Sequence, residues 1–150
     1  MQVIKDKKII DDNWSYLSDD TEPKAGNITV SLARWRQDKT QLLNYNGQIG
    51  VRIASVDSVA DIANDLPNLQ LIELDFSDFA DGRLFSQAWL LRSRYGYQGE
   101  IRATGHYMSD QVFYLSRVGV NAFRPDNAEH LTVELSHLND FTVNYQKSVN

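Results

Sequence analysis

Apolar positions along the chain fall into short runs of strand type separated by longer stretches at helical spacing, and each change of period marks an element. Val3-Ile4 and Ile9-Ile10 flank the polar run Asp6-Lys7-Lys8, the pattern of a small β-hairpin with a polar tip. Residues 18–27 are polar or turn-forming except for Ala25 and read as a mobile linker, not a domain boundary. After them a strand-then-helix rhythm sets in. Residues 28–32 have a strand signature, and Ser31 is placed to cap a helix that carries Leu32, Trp35 and Leu42 or Leu43 and ends at Asn46-Gly47. Residues 48–54 form a second strand, followed by Asp57 or Ser58 as cap, a helix with Val59, Ile62, Ala63 and Leu66, and Pro67 as its stop. Residues 69–76 form a third strand. Asp81-Gly82 then opens the strongest helix, with Leu84, Ala88, Leu91 and Tyr95 on one face and Gly96 at its end. Residues 100–104 are a fourth strand, after which Ser109 caps a helix stapled by Met108 and Phe113 and stopped by Gly119. Residues 121–123 give a short fifth strand. A last helix starts near Asp126 or Asn127 and buries Ala128, Leu131, Leu135 and Leu138, and a tail over 141–145 alternates apolar and polar.

Strands joined through helices of this length pair in parallel by right-handed crossovers. The predicted fold class is therefore α/β, with about five βα units and a mainly parallel sheet in one domain of 150 residues. Within it, 1–17 is the N-terminal hairpin, 18–27 the polar linker and 28–145 the βα repeat body. Three strands carry a charge at their middle position: Val51-Arg52-Ile53, Ile72-Glu73-Leu74 and Ile101-Arg102-Ala103. Strands covered by helices on both faces read as continuous apolar runs, so one face of this sheet is charged. Strands in sequential order put every crossover helix on the same side and give an open, half-barrel-like arc. The alternative, a flavodoxin-like three-layer sandwich, buries Arg52, Glu73 and Arg102 beneath helices at a cost unless they pair.

Ligands of βα arrays meet the carboxyl ends of the strands, which singles out Ser55, Asp75, Gly105-His106 and Arg124, joined by Asp81-Gly82-Arg83 at the head of the strongest helix. Arg52, Arg102 and Arg124, with Glu73 or Asp75 orienting them, form a candidate anion site, because planar guanidinium forks suit oxyanions. A structural ion-pair ladder in which Glu73 bridges Arg52 and Arg102 uses the same residues. His106 is a candidate general base, tuned by Asp75 or Asp110; a solvated or capping histidine is the competing reading. His130 and His137 lie seven apart, not at the spacing of two ligands on one turn, so no metal is expected. Arg92, Arg94 and Tyr95 suit a helix C-terminus or a docking patch. No phosphate-binding glycine motif occurs, and Trp14, Trp35 and Trp89 read as core or interface anchors.

Composition narrows the chemistry further. Hydrophobic residues make up 42% and charged residues 23%, which places the chain among globular proteins. The sequence has no cysteine, which removes disulfides, thiolate nucleophiles, thiolate-bound zinc and cysteine-ligated clusters. Redox work would need a borrowed cofactor or a protein that holds one; no cofactor is assigned. A net charge of -5 opposes binding to nucleic acid or acidic membranes. Lys5, Lys7 and Lys8 interrupt the apolar start, so no signal peptide is expected, and no stretch nears the ~20 apolar residues of a membrane span. The expected address is the cytoplasm. An arc with one uncovered face and exposed aromatics also leads us to expect a homodimer.

A set of short motifs adds a resemblance. Asp81-Gly82-Arg83, Ser86-Gln87-Ala88, Leu90-Leu91-Arg92, Arg94-Tyr95-Gly96, the run from Gly99 to Ala103, Asp110-Gln111, Arg117-Val118-Gly119 and Ala122-Phe123 together resemble the bacterial family called domain of unknown function 934. The resemblance runs from about Gly47 to Tyr145-Gln146, and the opening hairpin with Asp12 and Trp14 is similar to the family's start. Leu84 and His106 depart from the pattern, where a smaller residue and an acidic or amide residue are expected. The resemblance implies a gene placed beside sulfite reductase and an oxidoreductase role in sulfite reduction, and it carries no catalytic residue. It leaves Asp81, Arg83, Ser86, Gln87, Arg92, Arg102, Asp110, Gln111 and Arg117 as a candidate functional surface. The function expected is an auxiliary of assimilatory sulfite reduction that acts with sulfite reductase and is not a stand-alone redox enzyme. The alternative is a small oxyanion-binding protein or enzyme with an arginine-rich site on the open sheet face.

Overall fold

The computed structural model describes residues 1–23, 25–77 and 82–149, with side chains described up to residue 139. Eight strands form one sheet: β1 (Gln2–Lys5), β2 (Lys8–Asp11), β3 (Trp14–Tyr16), β4 (Asn27–Ser31), β5 (Ile49–Ile53), β6 (Leu71–Phe76), β7 (Glu100–Gly105) and β8 (Ala122–Pro125). Their order is β2-β1-β8-β7-β6-β5-β4-β3, so β3 to β8 are parallel neighbours in sequence order and the β1–β2 hairpin is added antiparallel beside β8. The helices are α1 (Leu32–Leu43), α2 (Gly82–Ser93), α3 (Val112–Arg117) and α4 (His130–Val149), with a 3₁₀ segment over Val59–Asn68.

Sequential parallel order is that of a half-barrel and not of a doubly wound sandwich. Alternate strand residues confirm the one-sided covering. Val51, Ile53, Ile72, Leu74, Phe76, Ile101, Ala103 and Phe123 share one core with Trp35, Leu42, Val59, Ile62, Leu84, Ala88, Leu91, Val112 and Leu115 from the helical layer. Residues of the other parity face the concave side.

Chain connectivity forces the curl. β2 and β3 are the two edges of the sheet, yet only Asp12 and Asn13 separate them in sequence. Eight strands laid flat at a spacing of about 4.8 Å would put those edges roughly 34 Å apart. Three Cα steps from Asp11 to Trp14 span at most about 11 Å. The sheet therefore bends until its edges approach each other at the link. The hairpin that feeds this link turns on Asp6 and Lys7, both in the left-handed region (φ 50° and 65°), as a two-residue turn between twisted strands requires.

Local chemistry explains most elements. Ser31 accepts the backbone N–H of Arg34 at 3.1 Å and starts α1. Trp35 is fully buried and donates its indole N–H to Asp65 at 3.0 Å, while Lys39 pairs with Asp65 at 3.0 Å. A Cβ on Gly50 would lie 2.5 Å from the Leu71 carbonyl oxygen, so β5 and β6 meet closely there only with glycine.

The polar stretch 18–27 is tied to α1 where it is described: Arg34 NH1 donates to the carbonyls of Ser18 (2.9 Å) and Thr21 (2.5 Å), and Ser31 Oγ donates to Asp19 at 2.8 Å. Three expectations change. The second helix is 3₁₀, not α, and it ends at Asn68, one residue beyond the expected stop at Pro67. Ser109 does not cap α3; its hydroxyl goes to Glu134, and Gln111 Oε1 accepts the Met108 N–H at 3.1 Å. The last helix starts at His130, leaves Ala128 exposed, and runs through the expected tail to Val149. Leu138, Phe141 and Tyr145 also fit a helical stripe, so the alternation over 141–145 was ambiguous.

Helix α4 packs over the hairpin and β8, and it buries a carboxyl group as it does so. Glu134 is fully buried and accepts hydrogen bonds from Tyr107 Oη (2.8 Å) and Ser109 Oγ (3.2 Å). Burial pushes its pKa up to about 7, against the two hydroxyl donors, which pull it down. The folded state thus holds this proton more tightly than the unfolded chain. The stability it contributes is complete below the ordinary value of 4.5 and is lost as pH rises through about 7. The melting temperature should fall by several degrees more between pH 5 and pH 8 in the wild type than in Glu134→Gln, and parallel pH profiles of the two would refute this account.

Candidate functional site

The register places the concave charges in rows. Arg52, Glu73 and Arg102 are lateral neighbours across β5, β6 and β7. One step nearer the carboxyl ends, Asp75, Thr104 and Arg124 are neighbours across β6, β7 and β8. Arg52 Nε donates to Glu73 Oε1 at 3.1 Å, and its guanidinium lies 3.8 Å from the centre of the Tyr16 ring on β3. Burial raises the Tyr16 pKa, opposed by the Arg52 charge.

Arg102 is consumed inside the barrel. Only 2% exposed, it binds Glu100 Oε2 through Nε (3.0 Å) and NH2 (2.9 Å), and Asp12 Oδ1 through NH1 (2.9 Å). Burial lowers its pKa, but Glu100 and Asp12 outweigh that and the net shift is upward. Asp12 sits on the link between the sheet edges. Its Oδ1 also accepts the Trp14 N–H at 3.0 Å, and its Oδ2 lies 3.4 Å from Arg124 Nε. Lys5 joins the set through Glu100 at 3.4 Å. The ladder reading therefore holds for Arg52 and Glu73, while Arg102 takes its short contacts from Glu100 and Asp12.

An opening remains beside the carboxyl-end row, where Arg124 is partly exposed and Thr104 is buried. A cleft of about 190 Å³ is lined by Met1, Arg52, Asp75, Thr104, Gly105, Arg124, Pro125 and Asp126. Of the residues read as a ligand site, Arg52, Asp75 and Arg124 meet here, with Glu73 behind Arg52. His106 stands at the rim, 60% exposed, with Nδ1 on Asp126 Oδ2 at 2.5 Å. Its orienting carboxylate is Asp126, not the expected Asp75 or Asp110. Two guanidinium groups and a threonine hydroxyl can bind a small oxyanion, and Asp75 and Asp126 hold the cleft near neutrality. The volume is below the roughly 300 Å³ at which organic ligand sites begin, which favours an ion.

The remaining candidates scatter, and several serve the fold. Arg83 NH2 reaches Ser55 Oγ at 3.5 Å beside the end of β5. Gln87 Oε1 accepts the Val59 N–H at 2.8 Å and anchors the start of the 3₁₀ segment. Ser86 and Asp110 are exposed, Gln111 holds the Met108 backbone, and Arg117 lies 5.8 Å from the Phe113 ring centre. Asp81 lies outside the described residues. Arg92 is more than a helix cap: Nε donates to Gly119 O (3.0 Å) and NH1 to the carbonyls of Tyr97 and Gly99 (2.8 Å each). A Cβ on Gly119 would lie 2.2 Å from Arg92 Cγ, so the two residues fit only as they are.

Sequence reasoning missed Asp12, Tyr16, Glu100, Thr104 and Asp126. Glu100 and Thr104 had a signal, since each lies two residues from Arg102 on a strand and must share its face. Asp12 and Tyr16 had none, because only the curl brings them to β5 and β7. Among the described residues no cluster of His, Asp or Glu could hold a metal ion, and no helix is long and apolar enough to cross a membrane. Arg92→Leu should lower stability in urea unfolding by about 2–3 kcal/mol, as loss of a charged donor to three carbonyls implies; an unchanged midpoint would remove its structural role.

Residues 50–150 match the family described as bacterial protein of unknown function, DUF934. No curated protein and no solved structure matches the chain. A match over so much of the sequence settles its kinship, and the chain belongs to the DUF934 family.

Proposed function

We propose that this protein is an accessory of assimilatory sulfite reduction that binds a small oxyanion between Arg52 and Arg124 and acts with sulfite reductase, not as a stand-alone redox enzyme. The observation that carries the binding half is the cleft itself, where two guanidinium groups and Thr104 converge at the carboxyl ends of parallel strands. The sulfur half is supported by what resemblance to the family implies, and the cysteine-free sequence fits a helper better than a chain that passes electrons through its own thiolates or clusters. On this reading the protein works in the cytoplasm. Contact with the reductase, or with a second copy, needs exposed apolar surface, and Trp89 and Tyr114, both more than half exposed, supply it.

The cleft already contains its own competitor. Asp12 Oδ2 occupies Arg124 from inside the barrel, so an incoming anion must share that guanidinium with a resident carboxylate. Affinity is then modest and adjustable. Calorimetry with sulfite, sulfate and phosphate should show saturable binding of at least one. Arg124→Gln should weaken it about tenfold. Asp12→Asn, in protein verified as folded by circular dichroism, should strengthen it. Absence of heat with all three anions would end the binding proposal. Co-purification should recover sulfite reductase with the protein, and a reductase fully active and stable in cells lacking this chain would end the accessory role.

A further inference from the structure

At the other end of the barrel, the amino-terminal ends of the strands surround a second cavity of about 360 Å³. That volume lies within the roughly 300–1,000 Å³ of small organic ligand sites, which the Arg52–Arg124 cleft does not reach. Trp14 lines it from the β3 edge, and Lys5 and Asp6 line it from the hairpin at the opposite edge. The cavity therefore exists only because the sheet curls. Register fixes the side on which Trp14 lies. Trp14 and Tyr16 alternate on the same face of β3, and Tyr16 stacks on the concave guanidinium of Arg52.

Its polar groups are set before any ligand arrives. Gln70 Oε1 accepts the Ile49 N–H at 3.0 Å, and Asn121 Oδ1 accepts the Ile101 N–H at 2.9 Å, so backbone donors hold both carboxamides in place. Gln98, exposed, adds a third amide. Charge at this mouth is balanced or slightly negative: Lys5 is paired with Glu100 at 3.4 Å, and Asp6 stands beside it. A small anion meets no net positive field here, and a wholly apolar ligand would cover a polar lining, in which Gln70 Nε2 donates to the Asn68 carbonyl at 3.3 Å and Asn121 Nδ2 to Asp6 Oδ1 at 3.4 Å, without adding a hydrogen bond to it. An uncharged ring with hydroxyls around its edge meets both conditions, since each hydroxyl donates and accepts as a carboxamide does, and its C–H face can lie on an indole.

We infer that the amino-terminal mouth of the barrel is a binding site for a neutral, hydroxyl-rich ring of monosaccharide size, held between Trp14 and the amides of Gln70, Gln98 and Asn121. The site is separate from the anion cleft, and its test uses no anion. Glucose, galactose and N-acetylglucosamine are titrated at millimolar concentration into the full ¹⁵N-labelled chain. The indole N–H signal of Trp14, assigned by its loss in Trp14→Phe, should shift and saturate with at least one of them, and that of the exposed Trp89 should not move. Gln98→Leu removes an exposed amide with little risk to folding and should weaken the binding about tenfold. A Trp14 signal that none of the three sugars moves, equal shifts at Trp89, or undiminished binding by Gln98→Leu would each overturn the inference. Saturable binding of uracil in place of every sugar would overturn the ligand class.

Discussion

The contact on which most of this structure depends is the ion pair between Asp12 and Arg102. Asp12 lies on a link of two residues between the opposite edges of an eight-stranded sheet, and Arg102 projects from β7 near the middle of that sheet. Covalent connection brings the edges together, and the carboxylate then fastens the link to the concave floor. Both groups are almost fully buried. Breaking a buried pair from one side leaves the other charge unsolvated, at a cost of about 3–5 kcal/mol. Glu100 shares the load on Arg102, and Arg124 shares it on Asp12.

This arrangement divides the sheet chemically. The convex face is apolar and carries the helices. The concave face is ionic and pairs its charges row by row until the rows reach an end of the barrel, with the buried Thr29 hydroxyl on β4 left without a hydrogen-bond partner. Interior charges are then structural for a physical reason: each is taken up by a neighbour one strand or one link away. Ligand chemistry is confined to the two mouths, where a row lacks a next row to pair with. The carboxyl-end mouth keeps Arg52 and Arg124 partly exposed, and the amino-end mouth keeps Trp14 and a group of amides. A line of ion pairs, Lys5–Glu100–Arg102–Asp12–Arg124, connects one mouth to the other.

Residues that looked functional by motif often turned out to hold backbone. Arg92 gathers the carbonyls of two loops, Gln87 starts the 3₁₀ segment, and Gln111 fixes the turn before α3. Charged or amide side chains are suited to this work because a loop leaves carbonyls and N–H groups that no ladder satisfies. Glu134 is a related case on α4. Its carboxyl group is the acceptor for two hydroxyls from the turn after β7, and the helix is docked through them.

Alternation within strands and glycine or proline at their ends were enough to determine, from sequence alone, the βα repeats and the grouping of Arg52, Glu73 and Arg102 on one face, because these are properties of neighbours along the chain; those charges favoured a half-barrel over a three-layer sandwich, and the strand order decided it. Ser31 as a cap, Trp35 in the core and Leu84, Ala88 and Leu91 on one stripe were legible for the same reason. Periodicity failed where two periods fit equally, as over 141–145, and where a side chain had a distant use, as with Ser109 and Glu134. Which charges are spent and which stay available was decided only by tertiary structure. Asp12 is ninety residues from Arg102, and Tyr16 is far along the chain from Arg52, so their meeting follows from the closure of the sheet and not from any local pattern.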